Sequence, residues 1–334
     1  MSDVDHGTVL VTGGAGYIGS HAVLALLDAG RPVVVIDDLS TGFRWAVPPE
    51  VPFAQGDIAD EALIARLIAE YRVGAIMHFA GSIIVPESVE NPLKYYLNNT
   101  AKSRTLLAGA VAGGVKHFVF SSTAATYGIP ESIPVAEDAA TRPINPYGQS
   151  KLMTEGMLKD VAAVFDFNYC ALRYFNVAGA DPAGRSGQST AGATHLIKVA
   201  VEAVCGRRDG VSVFGGDYPT ADGTCVRDYI HVGDLAEAHI HALDTLVASP
   251  SRSHVLNCGY GRGFSVLDVL DTVDRVAGVR LSRCMAPPRA GDPAALIADN
   301  RQILQRLSWR PAYDDLDAIV RHALEWERRL HRGG

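Results

Sequence analysis

Residues 8–19 read TVLVTGGAGYIG. The first five, Thr8–Thr12, form an unbroken apolar run of the kind expected for a strand buried on both faces. Gly13, Gly16 and Gly19 follow at once, and Ile18, Ala22, Leu26 and Ala29 then recur at helical spacing as far as Gly30. A strand that passes through a glycine-rich turn into a helix leaves bare backbone at a helix N-terminus, where amides and the macrodipole favour a phosphate. The spacing G-x-x-G-x-x-G is shifted by one from the G-x-G-x-x-G form, and glycine triplets also serve plain tight turns. The setting gives this one its weight, because a second β-branched run over residues 32–37 ends in Asp37. A carboxylate there is placed to accept hydrogen bonds from ribose hydroxyls and to repel a 2′-phosphate, which predicts NAD rather than NADP.

The alternation continues along the first half. Helical spacing over residues 61–71, 92–111 and 146–165 is interleaved with short apolar runs over 75–79, 116–121 and 169–174. This predicts an α/β fold with a doubly wound parallel sheet, Rossmann-like, and a smaller mixed C-terminal part. Beyond Asn176 the chain is punctuated by glycine, proline, serine and threonine; helices are expected over 194–205, 234–246, 266–276 and 316–330, and a strand over 211–214. The expected division is an NAD-binding domain over 1–176 with a return segment near 229–260, and a substrate-binding domain over 177–228 and 261–334.

The chain has 334 residues, 48% of them hydrophobic and 20% charged, with a formal net charge of −7. That length suits roughly two domains with packed cores. A mildly acidic chain lacks the basic face that nucleic acid or an anionic membrane requires, so neither is expected as a partner. No run approaches the ~20 apolar residues of a spanning helix, and the first seven residues show no export signal. Five cysteines (Cys170, Cys205, Cys225, Cys258, Cys284), widely spaced and odd in number, read as reduced thiols of a cytoplasmic protein. No H-E-x-x-H or similar cluster occurs, so no metal is expected.

Tyr147 and Lys151 stand four apart on one face of the expected helix 146–165, downstream of Ser121, Ser122 and Thr123 at the end of a strand. A phenol makes a poor base at neutral pH, and lowering its pKa by about three units needs roughly 4 kcal/mol of preferential phenolate stabilisation. The Lys151 ammonium and the positive ring of an oxidised nicotinamide can supply it, while Thr123 bridges hydrogen bonds to a substrate hydroxyl. In isolation a Y-x-x-x-K is more often a surface tyrosine and a solvated lysine. Together with the glycine loop and the strand-end hydroxyls it predicts Tyr147 as base, with Lys151 and Thr123 as its partners.

The glycine motif, Asp57-Ile58 after Gly56, His78-Phe79-Ala80-Gly81, the segment from Tyr147 to Lys151 and Arg173-Tyr174-Phe175-Asn176 resemble the extended short-chain dehydrogenase/reductase family. SSTAATYG (121–128), RYFNVAG (173–179), DYPTADGTCVRDYIHV (217–232) and SVLDV (265–269) are similar to the branch of it that inverts C4 of UDP-hexoses. The resemblance runs from about Thr8 to about Trp309. It implies a reversible exchange of UDP-glucose and UDP-galactose through a 4-keto sugar with recycled NAD, extending to the N-acetylated sugars, in a homodimer whose seam is formed by helices 92–111 and 146–165. Those apolar faces fit packing on the sheet equally well.

The resemblance further implies cofactor contacts from Gly13, Gly16, Tyr17, Ile18, Gly19, Asp37, Asp57, Ile58, Phe79, Ala80, Gly81, Asn98, Ser121, Tyr147, Lys151 and Tyr174. Substrate contacts would come from Thr123, Asn176, Val211, Phe214, Arg227, Tyr229, Arg289, Asp292 and Leu296. Two positions depart from the pattern. Ser82-Ile83-Ile84 stands where relatives often carry a cofactor-binding lysine, and Thr194-His195-Leu196 where some carry paired asparagines. Leu296 replaces a bulkier tyrosine of some relatives, leaving room for an N-acetyl group.

Other readings share parts of these motifs. A 4,6-dehydratase needs an acidic pair after the strand-end threonine, and Ala124 and Ala125 stand there instead. Inversion at C4 of UDP-glucuronate or a net NAD-dependent oxidation would use the same groups. A non-catalytic NAD-binding sensor would not need the Tyr147–Lys151 pair.

Overall fold

The structure, a computed structural model, describes residues 7–289 and 292–332. The opening run forms β1 (Thr8–Thr12), and the glycine turn leads into α1 (Tyr17–Asp28). There follow β2 (Val33–Asp37), a short β3 (Phe53–Gln55), α2 (Glu61–Tyr71) and β4 (Val73–His78). Helix α2 begins as local chemistry dictates, with the Asp60 carboxylate capping the Leu63 amide, and its buried stripe of Leu63, Ile64, Leu67 and Ile68 lies on the sheet.

The helix expected over 92–111 is not uniform. After α3 (Val85–Glu90), the short α4 (Pro92–Tyr95) passes through a π-helical turn, Tyr96–Ala101, into α5 (Lys102–Ala112). Such a turn carries one residue more than an α-turn and is often found beside a functional site. Here it directs Asn99 at the backbone of Ser82 and Asn98 at its hydroxyl.

Strand β5 (His117–Thr123) runs two residues further than its apolar pattern. Ser121, Ser122 and Thr123 stay in the ladder opposite Leu172, Arg173 and Tyr174 of β6 (Asn168–Tyr174). Between these strands comes α6 (Pro146–Val164), whose first turn is capped by the Asn145 side chain on the Gly148 amide. The chain then makes β7 (Asn176–Ala178), α7 (Leu196–Val204), β8 (Val211–Phe214) and β9 (Val226–His231) before returning through α8 (Val232–Ala248) and β10 (His254–Cys258). It closes with β11 (Gly263–Ser265), α9 (Val266–Ala277), β12 (Arg283–Ala286), β13 (Ala295–Leu296), α10 (Arg301–Arg306) and α11 (Leu316–Arg332).

Seven strands form one parallel sheet in the order β10-β6-β5-β4-β1-β2-β3. Helices on both faces bury two apolar layers, one including Leu26, Val35, Leu235 and Leu243, the other Leu10, Leu67, Leu106, Phe118 and Leu158. The smaller part holds a set of short strands built around β9 and the pair β8–β12.

One polar interaction fixes α6 on the sheet. Glu155 takes both arms of Arg173 on β6, Nε to Oε1 at 2.9 Å and Nη2 to Oε2 at 2.5 Å, and accepts the Ser122 hydroxyl of β5 at 2.5 Å. Both charged side chains are only 6% exposed. Removing one partner of a buried pair leaves the other charge unpaired. Glu155→Ala is therefore expected to lower the unfolding free energy by about 3–5 kcal/mol, read as a shift of the urea midpoint at unchanged slope. A loss below about 1 kcal/mol would mean that Arg173 finds another partner.

Candidate active site

The glycine loop is a cradle that no side chain would fit. Gly13 adopts φ +68, and a Cβ there would stand 2.6 Å from the Ala80 amide nitrogen. On Gly19 a Cβ would meet the Gly13 carbonyl oxygen at 2.1 Å. No side chain caps α1 at Gly16, so its first-turn amides stay available to an anion. Asp37, at the end of β2, is buried and accepts the amides of Ala15 at 2.9 Å and Leu39 at 2.8 Å, which binds the acidic strand end to the loop. Burial raises its pKa, and the two amides oppose that rise. These features fit a dinucleotide.

The other residues expected at the cofactor surround this loop in different ways. Tyr17 donates its hydroxyl to the Gly179 carbonyl at 2.7 Å, joining the loop to the segment after Asn176, and Ile18 packs on the core. Asp57 pairs with Lys102 at 2.6 Å, and Ile58 is buried among the apolar residues beneath α2. Phe79 packs its ring 4.7 Å from that of His239, while Ala80 donates its amide to Thr12 Oγ1 at 3.4 Å. A Cβ on Gly81 would lie 2.8 Å from Asn99 Oδ1.

Asn99 is a residue that motif reasoning passed over in favour of Asn98. Its side chain clamps Ser82 from both sides, accepting the amide at 2.7 Å and donating to the carbonyl at 2.9 Å, and it reaches Ser150 Oγ at 3.0 Å. Asn98 donates to Ser82 Oγ at 3.0 Å. Ile83, at the position expected to depart from the family pattern, is half exposed, and the neighbouring rim is shaped by amides and hydroxyls.

Tyr147 is the second residue of α6, and the side chain of Thr123 lies close enough to its phenol to act on it. Part of the residue remains accessible, but its hydroxyl is surrounded by protein. Desolvation pushes its pKa up and the Thr123 contact pulls it down. One turn on, Lys151 is 2% exposed and donates Nζ–H to the Ser121 carbonyl at 2.9 Å, with its cation 5.0 Å from the Phe120 ring centroid. Burial lowers its pKa to about 8. Ser121 Oγ bonds the hydroxyl of the buried Tyr174. Helix α6 therefore delivers base and cation to the carboxyl end of β5, one strand, β4, away from β1 and its glycine loop.

Across from this edge lie the residues expected at the substrate. Asn176 opens β7 opposite Tyr229 of β9, and both line a cleft with Gln188, His195 and Trp326. Tyr229 is buried, which raises its pKa, while Val211 is buried in β8. Arg289 holds its guanidinium carbon 3.8 Å from the Phe214 ring centroid, Arg227 faces Asp292 at 3.6 Å, and Leu296 pairs with Arg227 in the β13–β9 register. His195 is the N-cap residue of α7, and its Nδ1 meets Gln188 Nε2 at 2.9 Å.

Comparison with known proteins adds to this geometry. Residues 9–259 match the NAD dependent epimerase/dehydratase family. The chain is 57% identical to the UDP-glucose 4-epimerase of Azospirillum brasilense, over 97% of this chain and 93% of that one. Among solved structures it resembles the UDP-glucose-4-epimerase of Stenotrophomonas maltophila with bound NAD and formylated UDP-arabinopyranose, at TM-score 0.95 and 40% identity over 98% of this chain and 100% of that one. It also resembles the Bifidobacterium longum UDP-glucose 4-epimerase in complex with NAD+ and UDP, at TM-score 0.93 and 36% identity over 98% and 100% of the two chains.

The buried lysine leads to a pH-dependent stability. Its pKa in the folded chain, about 8, lies below the ordinary 10.5, so between those values the unfolded chain binds more protons. The cost of burying the ammonium is present below about pH 8 and is relieved as pH rises toward the unfolded value. The unfolding free energy of the wild type relative to Lys151→Met is expected to increase across that window in paired denaturation curves. A flat difference would show that Lys151 keeps an ordinary affinity for its proton.

Proposed function

The chain belongs to the NAD dependent epimerase/dehydratase family, and from that premise we infer that it catalyses reversible C4 epimerisation of UDP-glucose and UDP-galactose. The observation that carries this reading is the placement of Tyr147 and Lys151 on one face of α6 beside the strand-end Thr123, in a chain 57% identical to a UDP-glucose 4-epimerase. NAD is the cofactor. Gly13, Gly16 and Gly19, with the α1 amides, would take its pyrophosphate and Asp37 its ribose; Tyr174, Ser121 and Lys151 would border the nicotinamide end. Asp57, Ile58, Phe79, Ala80, Gly81 and Asn98 would complete the cofactor's surroundings.

When bound, NAD would supply the hydride acceptor and donor for C4. The chain's own residues do the rest. Tyr147 takes the proton of the 4-hydroxyl, Thr123 holds that hydroxyl, and the Lys151 ammonium favours the phenolate. The 4-keto sugar turns its other face, and Tyr147 gives the proton back. Burial pushes the phenol up, so Thr123 and nearby positive charge must act together to make it a base at neutral pH.

Asn176, Arg227 and Arg289 would hold the diphosphate, while Val211, Phe214, Tyr229 and Asp292 would frame the nucleotide. We assign the substrate to residues 177–228 and 261–334, and the cofactor to residues 1–176 and the return near 229–260. The pairing of β10 with β6 supports including that return. We further assign the molecule to a cytoplasmic homodimer. Val89, Leu93, Leu97 and Met153 are exposed along α3, α4, the π-helical turn and α6, supporting a seam there. Among the described residues no helix is long and apolar enough to cross a membrane.

Three outcomes test this reading. Denatured protein should release NAD in a one-to-one ratio, and the native protein should interconvert the two sugars without added cofactor. Tyr147→Phe should reduce kcat by about 10²–10⁴-fold, and Lys151→Ala should move the rising limb of the pH–rate profile upward; an unchanged limb removes the electrostatic role. Leu296→Tyr should reduce turnover of UDP-GalNAc more than that of UDP-galactose, and equal loss on both sugars would dismiss Leu296 as the gate.

A further inference from the structure

The stretch that follows Asp37 folds back onto the glycine loop. Phe43 donates its amide to the Ala15 carbonyl at 2.9 Å, and Gly42 sits so near that a Cβ would stand 2.9 Å from the Ala15 carbonyl carbon. The chain then makes a 3-10 turn, Arg44–Ala46, which leaves Trp45 52% exposed. Its indole stacks on Phe43, with centroids 5.3 Å apart and planes at 29°. On the other side it meets Trp326 of α11, at 5.9 Å and 32°.

Trp326 is a buried element of the opposite wall. It is 8% exposed, donates Nε1–H to Ser189 Oγ at 3.2 Å, and rests over Gly187, where a Cβ would lie 2.4 Å from the ring. It lines the cleft with Asn176 and His195. Its neighbour Glu327 binds Lys198 in the first turn of α7, the helix for which His195 is the N-cap residue. A continuous set of contacts thus runs from the glycine loop, through Phe43, Trp45 and Trp326, to the wall of the sugar-nucleotide cleft.

We propose that Trp45 and Trp326 form a clasp that holds residues 38–46 shut over the dinucleotide pyrophosphate and fastens that closure to the cleft wall. The proposal rests on the NAD reading above. For the cofactor to leave, residues 42–43 must lift from Ala15, and the stack must part. An occupant of the cleft that steadies Trp326 keeps the clasp closed, so a UDP group and NAD hold one another in place. In an enzyme that recycles its hydride carrier, early loss of the reduced cofactor would strand a keto sugar.

The test follows the holoenzyme's cofactor exchange during a chase with isotopically labelled NAD, with and without UDP. Trp45→Ala is expected to exchange NAD roughly three- to tenfold faster than wild type; Trp45→Phe should restore slow exchange. UDP should slow exchange in the wild type and have little effect in Trp45→Ala. Should Trp45→Ala lose its folded circular-dichroism signal, Trp45→Leu provides the comparison without the ring stack. Equal exchange rates in wild type and the ringless variant overturn the clasp, as does a failure of Trp45→Phe to restore retention. A UDP effect that persists in full without the ring overturns the coupling. Wild-type protein that binds no NAD overturns the cofactor reading instead.

Discussion

The geometry of the site depends on the buried pair between Glu155 and Arg173. Tyr147, Lys151 and Glu155 follow one another at four-residue steps, so the face that carries the base also carries its anchor. Ser122 and Arg173 lie opposite each other in the β5–β6 ladder, and both bond Glu155. Helix α6 is thereby fixed against two strands at once. Desolvating a carboxylate and a guanidinium is costly, and apolar residues of similar volume often hold a helix as firmly. What apolar packing lacks is direction: a slide along α6 would break the two-pronged bond and displace Tyr147 from Thr123.

The electrostatics at this strand edge oppose the chemistry until several groups act together. Burial raises the Tyr147 phenol and lowers the Lys151 ammonium to about 8, so desolvation favours the neutral form of each. The Ser121 carbonyl and the Phe120 ring both face the lysine cation and help keep its proton in place. In an acidic chain the pull on a phosphorylated substrate must likewise be local. Arg289 lies over Phe214, and Arg227 faces Asp292, so each guanidinium is held in place by a neighbour.

The first half of the fold was legible because its elements are long and periodic. Five parallel strands and their crossover helices followed from apolar runs and 3.6-residue spacing. In the second half only β8 was read in the same way, at 211–214 as found; the other strands are too short or too polar for that. β10 carries Asn257 as its fourth of five residues, and the residue can be buried there because its amide donates to the Val135 carbonyl and its oxygen accepts from Tyr127. β7, β11 and β13 have only two or three residues each, fewer than a period-two pattern needs. At the site, Tyr147, Lys151 and Thr123 could be found from spacing, whereas Glu155 reads from sequence as one more charge on a helix. Asn99 was hidden beside Asn98, because the π-helical turn alters which of two adjacent amides faces inward. Nothing local in the sequence pairs Trp45 with Trp326.

The two halves share one apolar layer, which runs from Leu26 and Val35 of the main sheet through Val201, Val213, Leu270 and Trp309 of the second half. Buried polar centres are added to it: Asp228 gathers the amides of Tyr260, Gly261 and Ala298, and Asp234 those of Ala312 and Tyr313 together with the Tyr260 hydroxyl. Burial raises the pKa of Asp228 to about 6, although three amides hold its carboxylate. Directional bonds of this kind set backbone position where apolar packing alone would not, which suits loops and the short strands β7, β11 and β13. A sugar that must turn over between two hydride transfers needs room at its ring and a firm hold at its nucleotide. Asp228 directly precedes Tyr229, which lines the cleft, so the bonds that fix its carboxylate also fix the strand that presents Tyr229 there.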